Sequence, residues 1–268
     1  MPMHKAWALV RSNWLAATSY KLSFMFSFGS LILSVVPIFF ISGALQNTMA
    51  NVIKGQGDQY FAFLVVGLIA LNVVASAVNA LPSGLQTATS TGTLEALLAT
   101  PTSISAILAG LSGYEVLLSL LRGFVMLVAA GLFGAHVAWL QLGASIPIIA
   151  LVILAHFPIA IVVAAMVIAF RTRGPLPQIV MLASTFLGGV YYPTTVIPGW
   201  VESISAFLPL TYGLKALRTV LLEGRSLVAV WREVSILLGF TIVTLAASAV
   251  AFRAALGYAR RVGNLAQY

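Results

Sequence analysis

GGVYYPTTVIPGWVESISAFLPLTYGLKALRTVLLEG, residues 188–224, fits neither a soluble loop nor a regular spanning helix. It is largely apolar, yet Pro193, Pro198, Gly199 and Pro209 interrupt it and Glu202 sits in its middle. A soluble loop would be more polar, and a regular spanning helix would tolerate neither this spacing of breakers nor the carboxylate. The combination predicts broken helices within or against a bilayer, where irregular backbone survives only if protein or water satisfies its polar groups.

The rest of the chain agrees. Of 268 residues 60% are hydrophobic and 7% are charged, against about 25% charged in a soluble domain. So little polar surface excludes a soluble globular domain and predicts a polytopic membrane protein. The excess of 14 Lys and Arg over 6 Asp and Glu does not point to nucleic acid. These cations sit near the ends of apolar runs, where lipid headgroups and topology signals place them. Without Cys, the chain can form no disulfide and has no thiol nucleophile.

Six membrane segments are expected. The first, Leu22 to Leu45, contains Pro37, which bends rather than ends it; the second, Tyr60 to Leu81, is closed by Pro82. The third starts between Ile104 and Gly113 and reaches Phe133, and the fourth spans Ser145 to Phe170. The fifth, Pro177 to Tyr191, extends only about 22 Å and needs adjoining irregular structure or a reentrant path to cross a core of about 30 Å. The sixth is Val234 to Phe252, preceded by Lys215, Arg218, Glu223, Arg225, Arg232 and Glu233, read together as a charged juxtamembrane connection. An even number of crossings puts both termini in one compartment. The basic residues Lys5, Arg11, Lys21, Arg171, Arg173, Arg253, Arg260 and Arg261 make that side cytoplasmic. The first apolar run is longer than a signal-peptide core and is read as retained.

Several polar residues inside these segments are candidate pathway or interhelical sites. Asn72 and Asn79 lie seven apart on one face of the second segment, and interhelical hydrogen bonding is their ordinary role. Glu115 and Arg122 share the third segment but are too far apart along the axis for a good internal ion pair, so each is expected to face another helix, a cavity or an interface. His156 reads either as a packed histidine or as part of a proton relay with Glu115. Residues 6–20 carry Trp7, Trp14 and apolar residues between polar ones, and form either an interfacial helix or a basic juxtamembrane tail. In the polar stretch after Pro82, Gly92 and Thr93 open a short helix with Glu95 in its first turn and Leu94, Leu97 and Leu98 on one face, ended by Pro101. This helix is either a docking element or a turn packed on the membrane domain.

With these features in order, the chain resembles the membrane permease of ABC-2-type exporters along nearly its whole length. The basic N-terminal segment, six spans, the GTLEALLATP motif at residues 92–101 and the broken region at residues 188–218 carry the resemblance. It implies a single domain over residues 1–268, all-α, with an interfacial helix at 6–20, a cytoplasmic coupling helix at 92–100 and an external reentrant helical hairpin at 191–209. The coupling residues would be Gly92, Thr93, Glu95, Leu97, Leu98 and Pro101. The gate would comprise Tyr191, Tyr192, Pro193, Pro198, Trp200, Glu202 and Pro209.

It further implies a separate ABC ATPase subunit that binds ATP and Mg²⁺, a second permease copy or a homologous permease, surrounding membrane lipids, and a bacterial inner membrane. The QTATST sequence before Gly92 departs from the family in lacking charged residues, which leaves the polar contacts to the ATPase unassigned. The chain has no phosphate-binding P-loop sequence and is expected neither to hydrolyse ATP nor to bind a cofactor directly. A drug or lipid cargo is the first expectation because the intramembrane charges are sparse. A polysaccharide or lipid-linked glycan is the alternative, and a proton-coupled transporter the reading from another class.

Overall fold

The computed structural model describes residues 2–93, 96, 99, 100, 102, 104–170 and 174–261. Five helices are long and apolar enough to cross a membrane: α2 (Lys21–Met49), α3 (Tyr60–Ser90), α4 (Ile104–Leu132), α5 (Leu142–Phe170) and α9 (Trp231–Arg261). A helix, α1 (Pro2–Ser19), precedes them. Between α5 and α9 the chain forms α6 (Leu176–Leu187), α7 (Gly199–Ser205) and α8 (Pro209–Leu221), none of spanning length.

At the centre is α3. Val66, Ala70, Val74 and Val78 recur every fourth residue and form one buried stripe, packed with Ile148 and Val152 of α5 and Leu210, Leu214 and Leu217 of α8. A second cluster joins Val35 of α2 and Phe61 and Val65 of α3 to Met126 and Ala130 of α4. Much of α2 remains exposed, including Phe26, Leu33 and Phe40. Between α1 and α4, the approach is close: a methyl at Gly110 would meet Leu9 Cδ1 at 2.7 Å, and one at Gly113 would meet Val10 Cγ2 at 3.0 Å. The Trp14 and Tyr114 rings meet edge to face there.

Two boundaries differ from expectation. Pro82 does not close its helix, because α3 runs on to Ser90. The lost backbone bond is outweighed by burial of Leu85 and Ala88 beyond the proline. Gly92, with φ +67°, follows the end of α3, and the hydroxyls of Thr91 and Thr93 bond the Thr87 and Ala88 carbonyls of its last turn. The segment expected at residues 177–191 is helical only as far as Leu187, about 18 Å of helix. Its helix stops at Gly188 because the next turn is held by other elements, described below.

Candidate functional site

One end of the bundle gathers the α2–α3 loop, the start of α3 and the turn after α6. The Gln46 side chain organises the loop: its Oε1 accepts from the Tyr60 amide at 2.8 Å and its Nε2 donates to the Asp58 carbonyl at 3.0 Å. Tyr60 in turn donates its hydroxyl to the Tyr191 carbonyl at 3.0 Å, and Tyr192 donates to the Phe186 carbonyl at 2.6 Å. A cavity of about 390 Å³ lies beside these bonds, lined by Met49, Val52, Tyr60, Tyr191, Tyr192 and Val196.

Arg218 of α8 is the organising side chain, and it is 1% exposed. Its Nη1 donates to the Gly189 carbonyl at 2.8 Å and reaches Gln56 Oε1 at 3.3 Å; its Nη2 donates to the carbonyls of Val190 at 2.9 Å and Phe63 at 3.1 Å. The guanidinium carbon lies 3.3 Å from the centroid of the Phe63 ring, a cation–π contact. The approach is possible because residue 67 is glycine: a methyl there would meet the Val190 oxygen at 2.5 Å and Nη2 at 2.9 Å. Gly189 takes φ +85°, which turns two successive carbonyls toward the same cation. The expectation that Arg218 belongs to a charged juxtamembrane connection is therefore corrected. Lys215, three residues earlier, is exposed and pairs with Glu233 at 3.6 Å, whereas Arg218 points inward. The signal was present in the sequence: Leu210, Leu214, Leu217 and Leu221 mark the inner face of α8, and position 218 falls on it.

The residues proposed for a gate are spread along this region. Tyr191 and Tyr192 line the cavity, Pro193 precedes a single 3₁₀ turn at Thr194–Val196, and Pro198 is the residue before α7. Trp200 and Glu202 are exposed on α7, with Glu202 in its first turn. Pro209 opens α8, where a missing N–H costs nothing. Leu210 of α8 lies near Gly188, its Gly213 passes Val152, and Leu222, the residue after the helix, packs against Gly57.

The intramembrane polar residues are not brought together with this site. Asn72 is exposed on α3, and Asn79 donates to the Ala75 carbonyl of its own helix at 2.9 Å. Glu115 and Arg122 are half-buried on α4 and form no salt bridge among the described residues. His156 is buried, with Nδ1 2.8 Å from the Val152 carbonyl, a contact within its own helix. A separate apolar groove of about 490 Å³ runs between α3, α4, α5 and α8, lined by Ile69, Val73, Phe124, Ile146, Ile149 and Leu217. Of the coupling candidates, Gly92 and Thr93 lie at the opposite end of α3, and Glu95, Leu97, Leu98 and Pro101 lie outside the described residues.

The model of the ABC-2 type transporter family matches residues 4–222, from α1 through α8 and the Arg218 site. This chain is an ABC-2 type membrane permease. Permeases of this family are transport subunits rather than enzymes, and generally pair with a nucleotide-binding ATPase subunit and often with a second permease copy. The permease is 26% identical over 237 residues to Nodulation protein J of Rhizobium meliloti (strain 1021), covering 88% of each chain. It is 24% identical to the Inner membrane transport permease YadH of Escherichia coli (strain K12), over 81% of this chain and 84% of that one. The Linearmycin resistance permease protein LnrN of Bacillus subtilis (strain 168) is 27% identical over 132 residues, 49% of the permease and 34% of that protein.

Proposed function

We propose that the permease is the membrane subunit of an ATP-driven exporter whose cargo is a polysaccharide or lipid-linked glycan. The observation that carries the cargo class is the coverage of the relatives. Proteins named Nodulation protein J match the permease nearly end to end, whereas the resistance permease matches about half of it. The Tyr60, Tyr191 and Tyr192 cavity supports this reading, since their rings offer apolar faces to a sugar while the Tyr60 and Tyr192 hydroxyls brace the wall by bonding backbone carbonyls. The apolar groove suits the lipid portion of such a cargo. That groove also favours the second reading, a drug or lipid without a glycan.

In this proposal α6 completes a sixth crossing together with the turn at residues 188–192. Residues 191–209 form an external reentrant gate, α1 lies at the cytoplasmic interface, and both termini are cytoplasmic in a bacterial inner membrane. Residues 92–100 receive the ATPase. ATP drives the cycle because its bound states favour different packings of two permease copies. The test is reconstitution with the cognate ATPase and a radiolabelled panel of lipids, glycans, lipid-linked glycans and amphipathic drugs. ATP-dependent movement of the glycan-bearing compounds is expected. Movement of drugs alone would overturn the cargo class, and transport that persists on a proton gradient with a disabled ATPase would overturn the mechanism.

A further inference from the structure

We propose that Arg218 is the positioning residue of the 191–208 segment, the side chain through which a shift between α3 and α8 is passed to the turn that carries this segment. The inference rests on the reading of residues 191–209 as a gate. Its basis is the set of elements that one guanidinium joins. Arg218 belongs to α8; its acceptors are Phe63 of α3, Gln56 of the α2–α3 loop, and Gly189 and Val190 of the turn after α6. Residues 191–208 hang between that turn and Pro209, the first residue of α8, so both ends of the segment are tied to the element bearing Arg218.

Stability alone does not explain a cation at this position. No carboxylate lies within salt-bridge distance of Arg218 among the described residues, and its Nε has no acceptor there. A buried charge held by neutral carbonyls and a ring face, with no counter-charge, carries a desolvation cost that an apolar residue of similar size would avoid. The guanidinium instead provides a rigid planar fork whose two ends reach different segments at once, a geometry that no apolar residue and no lysine reproduces. Gly67 serves the same contact from α3, because any side chain there would displace both the Val190 carbonyl and Nη2.

The absence of Cys allows spin labels to be placed without removing native residues. One pair, Lys54→Cys with Ser203→Cys, reports the segment against the α2–α3 loop; a second, Ile146→Cys with Val250→Cys, reports the α5–α9 scaffold. Labelled chain is diluted in unlabelled chain and reconstituted with the cognate ATPase in lipid nanodiscs, and distances are measured by pulsed electron resonance with and without ATP. The 54–203 pair should give a narrow peak in the otherwise unaltered chain. That peak should be lost in Arg218→Met and in Gly67→Ala, and partly retained in Arg218→Lys, while the 146–250 peak stays unchanged in all three. Variants that keep the narrow 54–203 peak would overturn the proposal. So would variants that lose both peaks together, because Arg218 would then hold the whole fold rather than one segment. If ATP fails to shift the 54–203 distance in the unaltered chain, the gate reading falls, and the resting peaks still decide the role of Arg218.

Discussion

Arg218 and Lys215 differ in environment by more than their three-residue separation conveys. One turn of α8 separates a cation that pairs with Glu233 near solvent from one enclosed by carbonyls and an aromatic ring. Charge type alone could not distinguish them; the leucine spacing around position 218 could. Glu223, just past α8, presents the opposite case. Burial raises its pKa, opposed by Arg225 and reinforced by Asp58, and its Oε1 has no partner while Oε2 meets Arg225 Nε at 2.9 Å. With the folded pKa above the unfolded one, the protonated form favours the fold. Stability is therefore lost as pH rises from the unfolded carboxylate range, about 4.3, through the folded pKa. Glu223→Gln removes that loss. Thermal unfolding in detergent should show the variant gaining on the parent at pH 7 and converging with it near pH 4, and a variant less stable at pH 7 would assign the larger effect to the Arg225 pair.

At the scale of elements, packing decides where helices stop. Pro82 is a correct sequence signal for a lost backbone bond, but α3 continues because the residues after it have a buried surface to fill. Conversely α6 ends at Leu187 although Val190 and Tyr191 are apolar, because the Gly189 and Val190 carbonyls are taken by Arg218 instead of continuing a helix. Docking of α1 follows from two glycines on α4 that no hydropathy pattern marks. Gly110→Val would place a branched side chain against Leu9 and the Ala6 carbonyl. Overpacking of this kind costs about 1–3 kcal/mol. Amide hydrogen exchange should quicken across α1 and remain unchanged in α3 and α5; equal protection of α1 in both proteins would show that its position does not depend on this contact.

For the whole molecule, the Arg218 site and the Gly92–Thr93 turn sit at opposite ends of α3, so a coupling role for the proposed 92–100 helix requires α3 or α4 to transmit the movement. If residues 92–100 form the proposed coupling helix, Glu95→Lys would reverse the charge in its first turn and oppose a cationic docking partner. The expected result is a loss of ATP-driven transport and of ATPase stimulation at equal folded abundance in the membrane. Equal transport and stimulation would remove Glu95 from the coupling surface.

The membrane class, the all-α architecture, the approximate positions of the long helices and the family were all legible in the chain, because each depends on local composition, periodicity and motif order. The Gly188–Gly224 stretch was recognisable as broken helix from its prolines and glycines alone. Long-range packing was needed to show that α3 passes through Pro82, that α1 docks on Gly110 and Gly113, and which groups enclose Arg218 on the inner face that the leucine spacing marks. Those outcomes depend on which surfaces from distant parts of the chain meet, and on whether a polar group finds acceptors there. For Arg218 the acceptors come from residues 56, 63, 189 and 190. No window of local sequence contains them together.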